Sequence, residues 1–250
     1  MREMFNLINK VIIVTGAASG IGRSTCIVAS ELGAKVILVD RIKEGMEETF
    51  AHLSGTGHSC YEADLEHVED ISNLIMKIVS EHGVISGFVH CAGVSSRKPL
   101  NVLKKEGFDH LMSVNFYSFV EFVKQLSKKD RFCDNGSMVV MSSISSIRGF
   151  KAKTEYCVSK ASVDAFVRCM ALELAPRKIR INSVMPSIVL TPMAEKAIEV
   201  NEAVGRKDSD IAPLGATEPY EVANTIAFLL SDATKTITGT SILIDGGATI

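Results

Sequence analysis

Short apolar runs alternate along the chain with longer amphipathic stretches. Lys10–Thr15, Ala34–Val39, His58–Glu62, Gly87–His90, Ser137–Met141, Ile179–Val184 and Ser241–Ile244 are rich in Val and Ile and bounded by Gly, Asp or Ser. Most of these runs carry apolar residues on consecutive positions, which marks strands buried on both faces, as in a parallel sheet. Between them, Ile21–Leu32, Lys43–Leu53, Val68–Glu81, Lys104–Lys128, Tyr156–Leu174 and Pro219–Leu230 repeat apolar residues at the period of a helix. Parallel strands need such crossovers, so the pattern predicts an α/β fold: a Rossmann-type, doubly wound parallel sheet of seven strands with helices on both faces.

No linker, repeat or low-complexity segment divides residues 1–250, and a single domain is expected. The one irregular stretch is 186–213, punctuated by Pro186, Pro192, Gly205 and Pro213, with a segment Thr191–Val204 suited to a short helix. A connection of that length reads as a lid over a site.

Composition narrows the classes. The chain has 250 residues, 46% hydrophobic and 22% charged, with 27 basic and 29 acidic side chains. At this size folding buries roughly 70–75% of the unfolded surface, so the core needs no staple. Without long basic runs a sequence-independent grip on nucleic acid is excluded. No apolar run approaches the roughly 20 residues that cross a bilayer. Met1–Lys10 lacks the apolar stretch and cleavage site of a secretion signal, so a cytoplasmic location is expected. Cys26, Cys60, Cys91, Cys133, Cys157 and Cys169 then read as reduced thiols, and the scattered Cys and His give no metal-ligand spacing.

Directly after the first strand comes Thr15-Gly16-Ala17-Ala18-Ser19-Gly20-Ile21-Gly22, opening a helix. Glycines there permit positive φ and let strand, helix and a pyrophosphate approach closely, while the helix start offers free N–H groups. Gly16, Ser19, Gly20, Ile21 and Gly22 are therefore candidate cofactor contacts. Asp40 ends the next strand, 24 residues beyond Gly16, where a carboxylate accepts hydrogen bonds from an adenosine ribose and repels a 2′-phosphate. NAD is favoured; Arg41, able to pair with a phosphate, keeps NADP open. Asp64 and Leu65 follow the third strand, either to cover the adenine or to cap the next helix.

Tyr156 and Lys160 lie four residues apart and share a helix face, and Ser142 and Ser143 end the preceding strand at the edge where doubly wound sheets bind ligands. The set suits alcohol–carbonyl interconversion. Tyr156 is the acid/base, its phenolate stabilised by the Lys160 ammonium, and Ser143 holds the substrate oxygen. A nicotinamide must carry the hydride, which no side chain can do.

With its T-G-x-x-x-G-I-G loop, Asn115, Ser143, Y-x-x-x-K, and closing Thr238-Gly239 and Asp245-Gly246-Gly247, nearly the whole chain resembles the short-chain dehydrogenase/reductase family. The resemblance makes Asn115 the residue that holds a water on a proton relay through Lys160, and prefers Ser143, thirteen residues before Tyr156, over Ser142. It also assigns Lys160 to the nicotinamide ribose and Thr191 to the carboxamide. The backbone of Ala92 and Gly93, together with Pro186 and Ile188, is implied to border the cofactor. Two positions depart from the family pattern. His90-Cys91 stands where it has Asn-Asn, leaving open how the central strands are tied. Ser187 stands where it has Gly, so the backbone there must avoid positive φ or accept a cost.

The resulting expectation is an NAD(P)(H)-dependent oxidoreductase acting on a small secondary alcohol or ketone, with substrate identity encoded in 94–99, 144–154 and 186–213. Alternatives are an NADPH-dependent 3-oxoacyl-carrier-protein reductase, for which Lys124, Lys128 and Lys129 would supply a basic docking face, and a dinucleotide-binding protein without turnover. The resemblance further implies a homotetramer or homodimer.

Overall fold

The structure, a computed structural model, describes residues 5–194 and 212–250. Seven strands, β1 (Val11–Thr15), β2 (Lys35–Asp40), β3 (Ser59–Glu62), β4 (Ile85–His90), β5 (Phe132–Met141), β6 (Arg180–Pro186) and β7 (Ser241–Ile244), form one sheet. Its order is β3-β2-β1-β4-β5-β6-β7, and every neighbouring pair is parallel. The chain passes from one half to the other between β3 and β4, so a crevice opens at the C-terminal ends of β1 and β4.

Helices α1 (Gly20–Glu31), α2 (Lys43–Ala51), α3 (Ile71–His82), α4 (Lys105–Met112), α5 (Ser118–Leu126), α6 (Thr154–Leu174) and α7 (Pro219–Leu230) cover both faces. Alternate residues of each strand serve opposite layers. Ile12, Val14, Val36 and Leu38 pack with Cys26 and Ala29 of α1 and Val222 and Ile226 of α7. Ile13, Ile37, Phe88 and Val140 pack with Ile75 of α3, Phe119 and Phe122 of α5, and Val163 of α6. Burying a side chain of this kind is worth about 1.5–3 kcal/mol, so the central strands contribute to both layers at consecutive positions.

Most boundaries fall within a residue or two of the sequence reading; three departures have physical causes. The helix expected over Lys104–Lys128 is three segments, because a π-helical stretch, Ser113–Tyr117, separates α4 from α5. A periodic apolar pattern survives one wide turn, so periodicity did not reveal it. Strand β5 starts at Phe132 rather than Ser137: Phe132 is fully buried and pairs with Ile85, while Asn135 at φ +62° and a register shift between Ile85 and Gly87 accommodate the polar residues between. Strand β4 accordingly begins at Ile85, two residues before Gly87. The expected helix over Thr191–Val204 and the middle of the 186–213 lid lie largely outside the described residues.

Candidate active site

The glycine loop is shaped by contacts only glycine allows. Gly16 has φ +69°, and a Cβ there would lie 2.7 Å from the Ala92 nitrogen; a Cβ on Gly22 would lie 2.0 Å from the Gly16 carbonyl oxygen. The loop therefore packs directly against the backbone after β4. Ser19 at the start of α1 makes no side-chain cap, so the helix end keeps its N–H groups for an anion. Asp40 braces this loop as well as facing the cavity: Oδ2 accepts from Ala18 N and Oδ1 from Ile42 N, both at 3.0 Å. Asp64 does not cap the next helix, which starts at Ile71: its Oδ1 accepts from Glu66 N at 3.0 Å in a turn ahead of it, and Asp64 lies 4.0 Å from the Arg41 guanidinium.

His90 answers the question raised by the missing Asn. The β1–β4 register sets Thr15 opposite His90. Thr15 Oγ1 lies 3.0 Å from His90 Nδ1, and Ser118 Oγ lies 3.3 Å from Nε2. Ser118 spends its single hydrogen on the Val114 carbonyl at 2.7 Å, so Nε2 carries the imidazole proton and Nδ1 accepts from Thr15. Thr15 Oγ1 in turn accepts from Ala92 N at 3.3 Å. One chain of hydrogen bonds thus runs from the loop after β4, through β1 and His90, to the π-helical segment. Burial, with help from the Lys160 charge, pushes the His90 pKa down to about 3, keeping the ring neutral.

Tyr156 and Lys160 project from the first turns of α6. Lys160 is buried and donates to the Met141 carbonyl at 2.7 Å, with Nζ 5.7 Å from the centroid of the Tyr156 ring. Burial lowers its pKa to about 8, against the pull of Asp164. The Tyr156 phenol moves opposite to the sequence expectation: burial pushes it up to about 12, and the hydrogen bond with Ser143 only partly offsets this. Ser142 and Ser143 are told apart by geometry. Ser142 donates to Asp164 Oδ2 at 2.9 Å, whereas Ser143 accepts from Ser145 N at 3.1 Å and reaches Tyr156.

The Asn115 side chain is spent on its neighbours. Its Oδ1 accepts from Val94 N at 2.7 Å, and Nδ2 donates to the Val94 carbonyl and Ser159 Oγ at 2.9 and 3.0 Å. It stands behind Gly93, whose Cβ position would be 3.2 Å from Asn115 Oδ1 and 3.7 Å from Lys160 Nζ. The sequence reading missed Asp164, which accepts from Ser142, Ser183 and Ser241 and so ties β5, β6 and β7 to α6. Its signal was the spacing: Tyr156, Lys160 and Asp164 follow one another by four on one helix face.

One cavity of about 1450 Å³ joins these parts, larger than the roughly 300–1,000 Å³ of a single small-ligand pocket. Gly16, Ser19, Gly20, Ile21, Gly22, Asp40, Arg41, Asp64 and Leu65 line it. Ala92, Gly93, Ser143, Tyr156, Lys160, Pro186, Ile188 and Thr191 line it as well; Asn115 alone of the expected residues does not reach the wall. An NAD(P) nucleotide fits this lining on two counts: the uncapped start of α1 offers N–H groups to an anion, and Ser187 Oγ, also in the lining, is buried without a hydrogen-bond partner among the described residues. Ser187 does so at negative φ, so replacing the family's Gly leaves no left-handed strain. Cys91, which follows His90, is a neutral thiol, its pKa raised to about 12 by burial.

The family model described as enoyl-(acyl carrier protein) reductase matches residues 16–249. An NAD-dependent glycerol dehydrogenase of Listeria innocua is 32% identical over 98% of this chain and 96% of its own length. The 3-oxoacyl-[acyl-carrier-protein] reductase FabG of Thermotoga maritima is 35% identical over 96% and 98%. The crystal structure of a dehydrogenase/reductase from Sinorhizobium meliloti superposes with a TM-score of 0.93 at 27% identity, covering 100% of this chain and 99% of that one. Sequence and fold agree over essentially the full length: the chain belongs to the short-chain dehydrogenase/reductase family of NAD(P)-dependent enzymes that act on alcohols and carbonyls.

Proposed function

We propose that this enzyme interconverts a small secondary alcohol and its ketone, using NAD(H) in preference to NADP(H). The observation that carries the reading is the meeting of Tyr156, Ser143 and Lys160 with the glycine loop in one cavity. When bound, the nicotinamide supplies the hydride acceptor or donor. In oxidation the substrate hydroxyl proton passes to the Tyr156 oxygen as the carbinol hydride leaves; in reduction Tyr156 returns it. Ser143 holds the substrate oxygen. Lys160, fixed by the Met141 carbonyl, lends positive charge to a phenol that burial alone leaves too weak an acid. Asn115 acts by position, clamping Val94 against α6 through Ser159.

Asp40 supports NAD: its carboxylate faces the cavity and is held by two backbone amides. The test is the pair of dissociation constants for NADH and NADPH by fluorescence titration, with at least tenfold preference for NADH expected. Tyr156→Phe should cost about 10²–10⁴ in kcat while keeping NADH affinity. A variant retaining more than a few per cent of kcat removes Tyr156 from the chemistry.

For the carrier-protein alternative, Lys124 pairs with Glu121 at 2.9 Å and Lys128 donates to Gln125 at 2.9 Å, local contacts that leave the expected docking face exposed, so the small substrate is preferred on the shape of the cavity and not on this face. A homo-oligomer is supported by α6, whose Val158, Ala161, Ala165, Cys169 and Leu172 form an exposed stripe at helical spacing. Six free thiols suit a reducing cytoplasm, and among the described residues no helix is long and apolar enough to cross a membrane.

A further inference from the structure

The end of the cavity beyond Tyr156 is cationic. Lys153, half-buried at the start of α6, places Nζ 5.4 Å from the centroid of the Tyr156 ring. A backbone bond from Lys98 N to the Ala152 carbonyl, 2.7 Å, clips the segment after β4 to the turn before α6, so Arg97 and Lys153 meet on one wall. Lys151 and Arg148 extend that wall, Arg148 being fixed by donation to the Ala248 carbonyl at 2.9 Å. The side-chain carboxylates of the described lining, Asp40 and Asp64, stand at the ends of β2 and β3, on the other side of β1 and β4 from α6. Glu155, two residues after Lys153, is outside the cavity lining and buried, accepting from Ser96 Oγ at 2.5 Å and pairing with Lys98 at 3.5 Å.

Neither Lys153 nor Arg97 has an ion-pair partner among the described residues. Burial and repulsion from Arg97 push the Lys153 pKa below its usual value, with Cys157 opposing weakly. Lys153 also occupies the positive end of a 21-residue helix, a place that favours anions and disfavours cations. An anion between the two side chains would relieve both repulsions.

We propose that the substrate of this oxidoreductase, an inference resting on the function proposed above, carries a small anionic group that sits between Lys153 and Arg97. The group is a carboxylate or a phosphate, a few bonds from the carbinol carbon whose oxygen meets Tyr156 and Ser143. The depth of Lys153 beside the phenol favours a small molecule over an acidic protein, whose surface would meet only the exposed Arg97, Arg148 and Lys151.

The test uses matched secondary alcohols titrated against the NADH complex, where no hydride can transfer and bound-NADH fluorescence reports binding. The pairs are 3-hydroxybutyrate against butane-1,3-diol and glycerol 3-phosphate against glycerol. The anionic member of at least one pair is expected to bind ten times more tightly than its neutral partner, and which pair responds separates carboxylate from phosphate. In the double variant Lys153→Gln, Arg97→Gln that ratio should fall below three, with NADH titration of the same variant reporting that the fold stands. Equal affinities in both pairs overturn the proposal, as does a preference that survives the double variant. So does a 3-oxoacyl group turned over at least tenfold more efficiently on an acidic carrier protein than as the free acid. Failure of the wild-type chain to bind NADH is a separate result; it strikes the oxidoreductase reading first, and this inference falls with it.

Discussion

Replacing His90 by leucine should give a stability loss that fades as the solution is acidified. At neutral pH the variant strands the buried Thr15 hydroxyl, which donates to Nδ1, and takes from Ser118 Oγ the N–H it accepts. A buried group left unsatisfied costs about 1–3 kcal/mol, so a loss of about 2 kcal/mol is expected, or about 4–8 °C in Tm for a domain of this size. The wild-type ring titrates at about 3 in the fold, against 6.5 for the unperturbed side chain. Between those values the unfolded chain binds a proton that the folded chain refuses. The stability tied to His90 is therefore complete above about pH 6.5 and is lost, by about 1.4 kcal/mol per pH unit, as pH falls toward 3. The leucine variant has no such proton. By pH 5 the wild type should have given up about 2 kcal/mol that the variant keeps, and the two should converge. Urea unfolding followed by circular dichroism at pH 7.5, 6.0 and 5.0 reads the gap directly. A gap that stays constant across the three would mean that His90 is not held neutral, and the proton assignment along the Thr15–His90–Ser118 chain would fall with it.

Gly22→Ala should weaken NADH binding at least tenfold, because its Cβ has no room beside the Gly16 carbonyl; unchanged affinity in a fluorescence titration would contradict the loop geometry. Ser143→Ala should lower kcat/KM about a hundredfold, whereas Ser142→Ala should cost roughly 1 kcal/mol of stability through Asp164 with far less effect on turnover. Steady-state kinetics and thermal unfolding of the two variants separate these roles. Leu172, 79% exposed on the α6 stripe, should when changed to Glu reduce the assembly measured by light scattering; an unaltered mass would place the interface elsewhere.

The strand–helix alternation was legible because strands buried on both sides need apolar residues at consecutive positions, and a seven-stranded parallel sheet followed from it. The glycine loop and Tyr156–Lys160 were legible because backbone conformation and helical spacing restrict residue type at those sites. Other features depend on contacts between distant segments. The π-helical turn around Asn115 leaves apolar periodicity intact, and the value of His90 appears only once the sheet register sets it opposite Thr15. The rise of the Tyr156 pKa likewise follows from burial, whereas sequence neighbours suggested the reverse. Lys153 and Arg97 are 56 positions apart in the chain and meet because the Lys98–Ala152 backbone bond and the contacts of Glu155 with Ser96 and Lys98 join their segments.

Asp40 holds Ala18 N with one oxygen and Ile42 N with the other, which makes coenzyme choice costly to redesign. A substitution meant to admit a 2′-phosphate would also release two backbone amides, one of them inside the glycine turn proposed to cradle the pyrophosphate. On the proposed preference for NAD, a shift to NADP needs a new acceptor beneath the loop, beside an Arg41 that already lines the cavity and can pair with a phosphate. A lineage carrying this arrangement is expected to change substrates, through the loops on the far side of Tyr156, more readily than it changes coenzyme.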